Sequence, residues 1–343
     1  MVTGGPTREA HSAAQSEMQD HRLCVAPMMD WTDRHCRYFL RLIAPHARLY
    51  TEMITGAALE HGDVPYHLDF DPAEHPLALQ LGGSDPRQLA AGARLGARWG
   101  YDEINLNCGC PSERVQTGSF GACLMAEPAI VADCVKAMRD AVMVPVTVKH
   151  RIGLDDEHGY AFVRDFVGTV AAAGCGVFIV HARNAVLKGL SPKENREIPP
   201  LRYEVVRQLK RDFPALTIVL NGGLVDWDTI ERELEQVDGV MLGRVAYHDP
   251  WFLAQAGARL FDDESPVRSR ADVVKAMMEY AQAQLARGVH LRAIARHVLG
   301  LYHGCSGGRR FRQILSDASK LRSAGPELFA EALETVEPTV SIG

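Results

Sequence analysis

The sequence lacks the features of a secreted, membrane-spanning or metal-cluster protein. Residues 1–20 are polar and contain no apolar segment of the kind found in a secretion signal. No later run approaches the roughly 18 consecutive apolar residues that a membrane span needs. There are eight cysteines but no Cys-x-x-Cys pair, which argues against a zinc or iron–sulfur site. We therefore expect a cytoplasmic protein with reduced thiols.

The sequence also lacks an overall positive charge. Its formal net charge of −6 argues against indiscriminate nucleic-acid binding. The charge is uneven, however, because eleven Lys or Arg accompany only three acidic residues between Pro266 and Ser323. This segment carries +8 and the rest of the chain −14. The basic segment is either a well-solvated helix surface or a surface for an anionic partner.

What the sequence does contain is a regular series of short apolar runs. With 343 residues, 47% of them hydrophobic, the chain can bury a large core and hold a second, smaller domain. Each run is closed by a polar residue or a glycine, as expected for parallel strands buried on both faces. The eight runs begin at Leu23 and recur around Tyr50, Gln80, Asn107, Lys149, His181, Asn221 and Gly243. Between them, Leu89–Trp99 and Ala129–Val142 show the spacing of amphipathic helices.

Eight strand-and-helix units predict an α/β fold, a closed (β/α)₈ TIM barrel. An open doubly wound sheet is the alternative, weakened because no G-x-G-x-x-G follows the first strand. After Ser265 the strand pattern stops, and helices are predicted at Val273–Leu285, Leu291–Tyr302 and Phe311–Leu321. We therefore predict a disordered N-terminal extension (1–21), a barrel (22–262) and a small all-helical C-terminal domain (263–343).

The expected carboxyl ends of the strands are rich in polar side chains. In a barrel of this type the active site forms at those ends. The polar residues there are Glu52, Gln80, Asn105, Asn107, Lys149, His181, Asn221 and Arg244. A barrel built only for packing would seldom place so many polar groups at one mouth, so we expect an active site there.

Three features of these strand ends favour an anionic ligand. Lys149 is either a rim residue or a cation directed into the barrel mouth, where it could stabilise a reduced flavin or an enolate. His181 is either a satisfied core histidine or a ligand contact. Asn221-Gly222-Gly223 and Gly243-Arg244 follow the seventh and eighth strands, where barrels often bind phosphate. A phosphorylated ligand such as FMN is therefore our hypothesis.

The segment from Asn105 to Met125 contains the candidate reactive thiol. It leaves an apolar strand and continues through a Cys-Gly-Cys-Pro turn into a polar, glycine-containing loop. Cys110 is either a small buried hydrophobe or a catalytic group at a strand end. Cys108 lies two residues earlier, on the other face of the strand from Asn107, and we interpret it as a packing residue.

Several motifs, taken together and in order, resemble a known family. They are APMMDWTDRHCR, NLNCGCPSERVQTGSFGACLM, VTVKHRIG, VHARNAVLKGLSPKENREIPPL, NGG and LGR. They look like the tRNA-dihydrouridine synthases, and the first motif and the PKENREIPPL loop look most like the A-type branch of bacteria. The resemblance implies an FMN-containing barrel that reduces the C5–C6 double bond of D-loop uridines 20 and 20a in tRNA, with NADPH or NADH as reductant.

The resemblance also implies roles for individual residues. Cys110 would be the proton donor, and Asn107 would contact the extruded uracil. The flavin would be held by Pro27, Met28, Met29, Gln80, Lys149, His181, Asn221, Gly222, Gly223, Gly243 and Arg244. Further contacts to tRNA would come from Lys193, Arg196, Arg309 and Arg312. No metal, membrane or protein partner is implied.

The expected chemistry suits a thiol acid. Hydride addition at C6 of uracil leaves negative charge at C5 and O4, which requires a proton. A thiol is mostly protonated at neutral pH and can supply one, so we expect Cys110 to be an acid and not a nucleophile. Two alternatives remain open, a flavin barrel that reduces a small dihydropyrimidine or enone and a non-catalytic tRNA-binding protein.

Overall fold

The computed structural model describes residues 21–112 and 118–337. They form two compact units. The first unit comprises residues 21–24, Ala47–Asp69 and His75–Met241, and the second comprises Val25–His46, Phe70–Glu74 and residues 242–337. The domain division expected at residue 262 stays a prediction. The expected disordered extension, 1–21, lies outside the described residues except for His21, which is buried.

The described residues form a sheet of nine strands. These are β1 (Leu23–Val25), β2 (Leu49–Tyr50), β3 (Ile54–Thr55), β4 (Leu77–Gly82), β5 (Glu103–Cys108), β6 (Val146–Arg151), β7 (Val177–His181), β8 (Thr217–Asn221) and β9 (Gly239–Leu242). Their order is β1-β9-β8-β7-β6-β5-β4-β2, and β3 pairs with β4. The short strand β3 was not predicted as a separate strand.

The eight strands in this order, without β3, close into a barrel. The backbone N–H of Arg48 donates to the carbonyl of Leu23 at 2.9 Å, and a parallel bridge joins Cys24 to Arg48. These contacts join the two ends of the strand order. The predicted (β/α)₈ barrel is therefore confirmed. The open doubly wound sheet is wrong, because such a sheet would leave both edge strands unpaired.

Helices connect the strands and form most of the second unit. They are α1 (Arg34–Ile43), α2 (Gly56–His61), α3 (Val64–Leu68), α4 (Pro86–Trp99), α5 (Pro128–Ala141), α6 (Tyr160–Ala172), α7 (Tyr203–Asp212), α8 (Trp227–Leu234), α9 (Arg244–His248), α10 (Ala256–Leu260), α11 (Arg270–Ala286), α12 (Leu291–Val298), α13 (Gly308–Ser316), α14 (Lys320–Ser323) and α15 (Glu327–Leu333). Short 3₁₀ helices lie at Pro72–Glu74, Gly121–Ala126, Glu194–Arg196 and Pro250–Gln255. No helix within the described ranges is long and apolar enough to cross a membrane.

The two helices predicted between strands are confirmed, and capping explains where α4 begins and ends. The carboxylate of Asp85 accepts from the backbone N–H groups of Arg87 and Gln88, and Pro86 occupies the first turn. These groups satisfy N–H donors that a helix start leaves unpaired. Gly100 ends α4 in the left-handed conformation at φ 96°. The helix therefore begins three residues before the predicted Leu89.

The helices after residue 265 differ in part from the prediction. The first two are present as α11 and α12, but Phe311–Leu321 is wrong as one continuous helix. Helix α13 ends at Ser316, because Asp317 takes an extended conformation (ψ 111°). Its carboxylate accepts from the backbone N–H of Ser319 and Lys320, which starts α14 instead of continuing α13. Helix α15 was not predicted.

The register of the central strands directs a row of polar side chains into the barrel. Gln80 of β4 pairs with Asn105 of β5, which pairs with Thr147 of β6. All three side chains are buried. Because side chains alternate along a strand, the neighbouring apolar residues Ile104 and Val148 face the surrounding helices. The interior of this part of the barrel is therefore polar.

Candidate active site

Cys110 lies just beyond the carboxyl end of β5 and is held by the side chain of Asn107. The amide oxygen of Asn107 accepts from the backbone N–H groups of Gly109 at 3.1 Å and Cys110 at 3.0 Å. The carbonyl of Cys110 accepts from the N–H of Ala122 at 2.9 Å. The thiol itself is partly exposed. The turn is thus fixed through its backbone, while the sulfur stays accessible.

Cys108 occupies a different environment. Its side chain is fully buried, and burial raises the pKa of its thiol well above the ordinary value. Alternation along β5 places it on the side of the strand that faces the helices. The structure therefore agrees with the interpretation of Cys108 as a packing residue and leaves Cys110 as the accessible thiol of this pair.

Arg151, which the sequence reasoning did not single out, joins the Cys110 turn to a second loop. Its guanidinium donates at 2.9 Å to the carbonyls of Gly109, Asn184 and Asn195. The side chain is 3% exposed and has no carboxylate partner in residues 21–112 and 118–337. Burial, with smaller contributions from neighbouring charges, lowers the pKa of Arg151 to about 10. A buried cation without a counterion is costly, so its presence here suggests a functional role.

Lys149 places a second cation at the mouth of the barrel. Its ammonium donates to the side-chain oxygen of Asn221 at 3.0 Å, and the Asn221 amide donates to the carbonyl of Met241 at 2.7 Å. Burial and the charge of Arg151 lower the pKa of Lys149 to about 7, whereas a Cys110 thiolate would raise it. An ammonium has three donors. The two not used by Asn221 have no partner within the described part of the chain.

His181 and the turn after β8 form the next part of the site. Burial and the charges of Arg151 and Lys149 lower the pKa of His181 well below its ordinary value, so the ring is neutral at pH 7. Its two ring nitrogens make no hydrogen bond to any described residue. Gly222 and Gly223 both take left-handed conformations, at φ 116° and 68°. A Cβ at Gly222 would lie 2.7 Å from His181, so only glycine fits beside the ring.

The loop from Arg183 to Leu201 is organised around a buried asparagine. Asn195 is fully buried, and its side chain exchanges two hydrogen bonds with the backbone of Val186. Lys193 and Arg196, on either side of it, are exposed. The same Asn195 supplies the carbonyl that Arg151 binds. The two predicted tRNA contacts are therefore linked to the Cys110 turn through a single guanidinium.

Five of the predicted flavin contacts belong to the second unit. Pro27, Met28 and Met29 follow β1, and Met28 is fixed by hydrogen bonds with Thr32 at 2.9 Å. Met29 is 55% exposed. Gly243 and Arg244 follow β9, and Arg244 opens helix α9. The assignment of these five residues to the flavin stays a prediction.

The remaining predicted tRNA contacts lie on α13. Arg309 and Arg312 are exposed and are three residues apart, which places them on the same side of the helix. Phe311, Ile314 and Leu315 are buried on the other side. The basic character of this segment is therefore a property of its outer surface.

Glu103, Thr147 and Arg151 are the buried site residues that sequence reasoning missed. A signal was present, since Glu103, Asn105 and Asn107 alternate with apolar residues along β5, and Thr147, Lys149 and Arg151 do so along β6. This period of two directs both sets to one face of the sheet. The sequence marks most clearly the residues that close an apolar run, whereas Glu103 and Thr147 precede the end of their runs and Arg151 follows Lys149 by two residues.

The site and the fold together define the class of protein to which this chain belongs. A closed (β/α)₈ barrel with an accessible thiol, amides, and cations that have no carboxylate partner among the described residues, all at the carboxyl ends of its strands, is the arrangement of a barrel enzyme. Residues 24–337 match the family described as Dihydrouridine synthase (Dus). The chain therefore belongs to the dihydrouridine synthase family, as its motifs suggested.

Three relatives with high sequence identity to this chain have the same name. A tRNA-dihydrouridine(20/20a) synthase from Xanthomonas campestris pv. campestris is 57% identical over 316 residues, 92% of this chain and 94% of the relative. The protein of that name from Pseudomonas aeruginosa is 57% identical over 91% of this chain and 94% of its own length. The one from Synechocystis sp. is 55% identical over 91% and 93%.

Proposed function

We propose that this protein reduces the C5–C6 double bond of uridines 20 and 20a in tRNA to give dihydrouridine. The observation that carries the proposal is the environment of Cys110. Its thiol is accessible at the barrel mouth, and its turn is fixed by Asn107. Lys149 and Arg151 lie close enough that a thiolate at Cys110 would raise the pKa of each. This arrangement suits a proton donor whose conjugate base must be stabilised.

The residues of the first unit fit a flavin mononucleotide. Lys149 has two spare donors, and His181 has two ring nitrogens without a partner within the described residues. The turn at Gly222 and Gly223 has no side chains of its own beyond Cα and follows the strand after which barrels often bind phosphate. We propose that Lys149, His181, Asn221 and this turn hold the flavin. Once reduced by NADPH or NADH, the bound flavin supplies the hydride that is added to C6 of uracil.

Cys110 completes the reduction by donating its proton to C5. The S–H bond breaks as the C5–H bond forms, and the electron pair of the S–H bond stays on sulfur. The resulting thiolate is stabilised by the positive charges of Lys149 and Arg151 until solvent returns the proton. The flavin contact expected for Gln80 stays a prediction. Gln80 bonds through its side-chain amide to Asn105 and Asn107. We propose that it supports the site from inside the barrel.

The polyanionic substrate matches the distribution of basic residues. Lys193 and Arg196 project from the loop that Arg151 links to Cys110, and Arg309 and Arg312 project from α13. We propose that all four contact the phosphate backbone of tRNA, which fixes the position of the RNA without reading its sequence. The target uridine must leave its stack to reach the barrel mouth. Asn107 is proposed to contact it through the amide hydrogen that Gln80 leaves free.

The test is a reaction with purified components. The protein is expected to purify yellow, because it retains flavin, and to convert uridines 20 and 20a when given NADPH and tRNA that lacks dihydrouridine. Mapping the modified positions identifies the products. Reduction of free uracil without tRNA would instead favour a small-molecule reductase. A colourless protein that binds tRNA but does not modify it would favour a binding protein.

A further inference from the structure

A chain of hydrogen-bonded side chains runs through the barrel interior, away from the Cys110 turn. The amide of Asn107 donates to Gln80 at 2.9 Å, Gln80 donates to Asn105 at 2.7 Å, and Asn105 donates to the hydroxyl of Thr147 at 2.8 Å. We call these four residues the amide chain. Thr147 in turn donates to a carboxylate oxygen of Glu103 at 2.5 Å. No member of the chain is more than 8% exposed.

The chain ends on a carboxylate that is ionised. Burial alone would raise the pKa of Glu103, but this effect is outweighed by His21 and Arg48 and by the hydrogen bond from Thr147. Together they hold that pKa at about 2. The imidazole of His21 lies 2.7 Å from one carboxylate oxygen, and the hydroxyl of Tyr50 donates to the other at 3.0 Å. At neutral pH, Glu103 can therefore only accept hydrogen bonds.

An acceptor at one end determines the direction of every bond in the chain. Thr147 has one hydroxyl proton and gives it to Glu103, so it must accept from Asn105. The Asn105 oxygen then faces Gln80, and the Gln80 oxygen faces Asn107. An amide has nearly the same shape when it is reversed, so packing alone does not select its orientation. The carboxylate at one end and the N–H groups of Gly109 and Cys110 at the other therefore favour the same orientation of every amide in the chain.

We propose that Glu103 is a positioning residue for Cys110, acting through the amide chain across the barrel. When the chain is broken, Asn107 is no longer held on the Gln80 side and can rotate away from the two backbone N–H groups, which then lose their acceptor. The Cys110 turn is released on that side, and the thiol loses its fixed position. The consequence for catalysis rests on the proposed function, whereas the effect on the turn itself does not.

The test breaks the chain at Thr147 and leaves the charges around Glu103 in place. Thr147→Val keeps the side-chain shape but removes the hydroxyl, and Thr147→Ser restores the hydroxyl. Tyr50→Phe is the matched control, because it removes another buried hydroxyl bonded to Glu103 that is not part of the amide chain. The variants are compared as flavin-containing protein with tRNA and NADPH, after thermal unfolding has shown that each is folded.

We expect Thr147→Val to lower kcat for dihydrouridine formation by roughly tenfold or more, since small displacements of a reacting group cost up to about 10²-fold. The KM for tRNA and the rate of flavin reduction by NADPH should stay unchanged. Thr147→Ser should recover kcat, and Tyr50→Phe should keep it. A wild-type kcat in folded Thr147→Val, or an equal loss in Tyr50→Phe, would overturn the proposal.

A second measurement separates this proposal from the proposed function. The rate at which iodoacetamide alkylates Cys110 without tRNA, followed by peptide mass spectrometry, reports the position of the thiol directly. It should change severalfold in Thr147→Val and stay at the wild-type rate in Tyr50→Phe. If that change occurs but the wild-type protein forms no dihydrouridine in tRNA, the proposed function fails and the positioning stands. If Thr147→Val does not fold, Thr147→Ala removes the same hydroxyl, and an unchanged alkylation rate then counts against the proposal.

Discussion

The interior of the barrel is polar on one side and largely apolar on the other. On β4, β5 and β6 the inward positions carry the amide chain, Glu103 and Lys149. On β7 and β8 the inward positions in register with them are Ile179 and Val219, both fully buried, and polar groups return only at the strand ends. Apolar layers are sufficient to fill a barrel of this type. Buried polar groups cost free energy unless every one is satisfied, so the polar side is best explained by the site that it supports.

The largest effect is expected at the end of the polar side. Cys110→Ala should lower the rate of dihydrouridine formation by about 10²- to 10⁴-fold, the usual contribution of a general acid. Reduction of the bound flavin by NADPH should be unaffected, because the thiol acts only on the uracil. Stopped-flow measurement of flavin reduction and mapping of tRNA separate the two steps. Cys108→Ala is the control and should remain active, and simultaneous loss of both steps in Cys110→Ala would contradict the acid role.

Substitutions on the apolar side should lower the stability of the protein and leave its catalytic rate unchanged. Ile179→Ala should lower the free energy of unfolding by about 2–5 kcal/mol, because it leaves a cavity in a fully buried layer. Denaturant unfolding measures this change, and Ile179→Val should cost only about 0.5–1.5 kcal/mol. Both variants should keep the wild-type kcat when folded. A large fall in kcat would show that the apolar side also positions the site.

Substitution of Arg151 tests whether its hydrogen bonds to the loops at the barrel mouth are needed for catalysis. Arg151→Lys keeps the charge but replaces a planar fork of donors with a single ammonium, which cannot reach the carbonyls of Gly109, Asn184 and Asn195 in the same geometry. We expect kcat to fall roughly tenfold through misplacement of the Cys110 turn. Steady-state kinetics with tRNA checks this. Arg164→Lys, at an exposed ion pair with Asp165, is the control and should behave as wild type.

Lys149 should make flavin binding depend on pH. Because its pKa is about 7, the ammonium predominates below that pH and the neutral amine above it. Affinity of the flavin-free protein for FMN should therefore fall as pH rises from 7 to 8, by up to about fivefold, because the protonated fraction of Lys149 falls from about one half to about one eleventh. Titration by flavin fluorescence at several pH values measures this. In Lys149→Arg the charge persists, so the pH dependence of FMN affinity should disappear. If the affinity of this variant still depends on pH, another group is responsible.

The smallest effects are expected outside the barrel interior. Arg309→Ala and Arg312→Ala should each weaken tRNA binding severalfold and reduce the slope of log Kd against log salt by about 1, as expected when one phosphate contact is lost. Flavin content should not change. The test measures tRNA binding over a range of salt concentrations, and Arg164→Ala is the charge-matched control. An unaltered slope would refute these contacts.

The sequence allowed part of the site to be predicted, for a physical reason. Residues that close a strand, such as Lys149, His181 and Asn221, interrupt an apolar run and are visible as polar residues at its end. Glu103 and Thr147 lie within or near the start of their strands, so only their alternation with apolar neighbours marks them. Arg151 looked like one more basic residue at a strand end. Its role depends on carbonyls 33 and 44 residues away, and a carbonyl has no signature in the sequence.

The sequence by itself determined the number and order of the barrel strands, the polar character of their carboxyl ends, the basic outer surface of the C-terminal helices and the family. These follow from local pattern, because burial and helix or strand period act on neighbouring residues. Only the tertiary structure decided which polar groups meet. Glu103 lies 44 residues from Thr147 and 82 from His21, and their pairing depends on strand register and barrel closure. The tertiary structure also decided that the thiol of Cys110 is partly exposed, whereas Cys108 is buried.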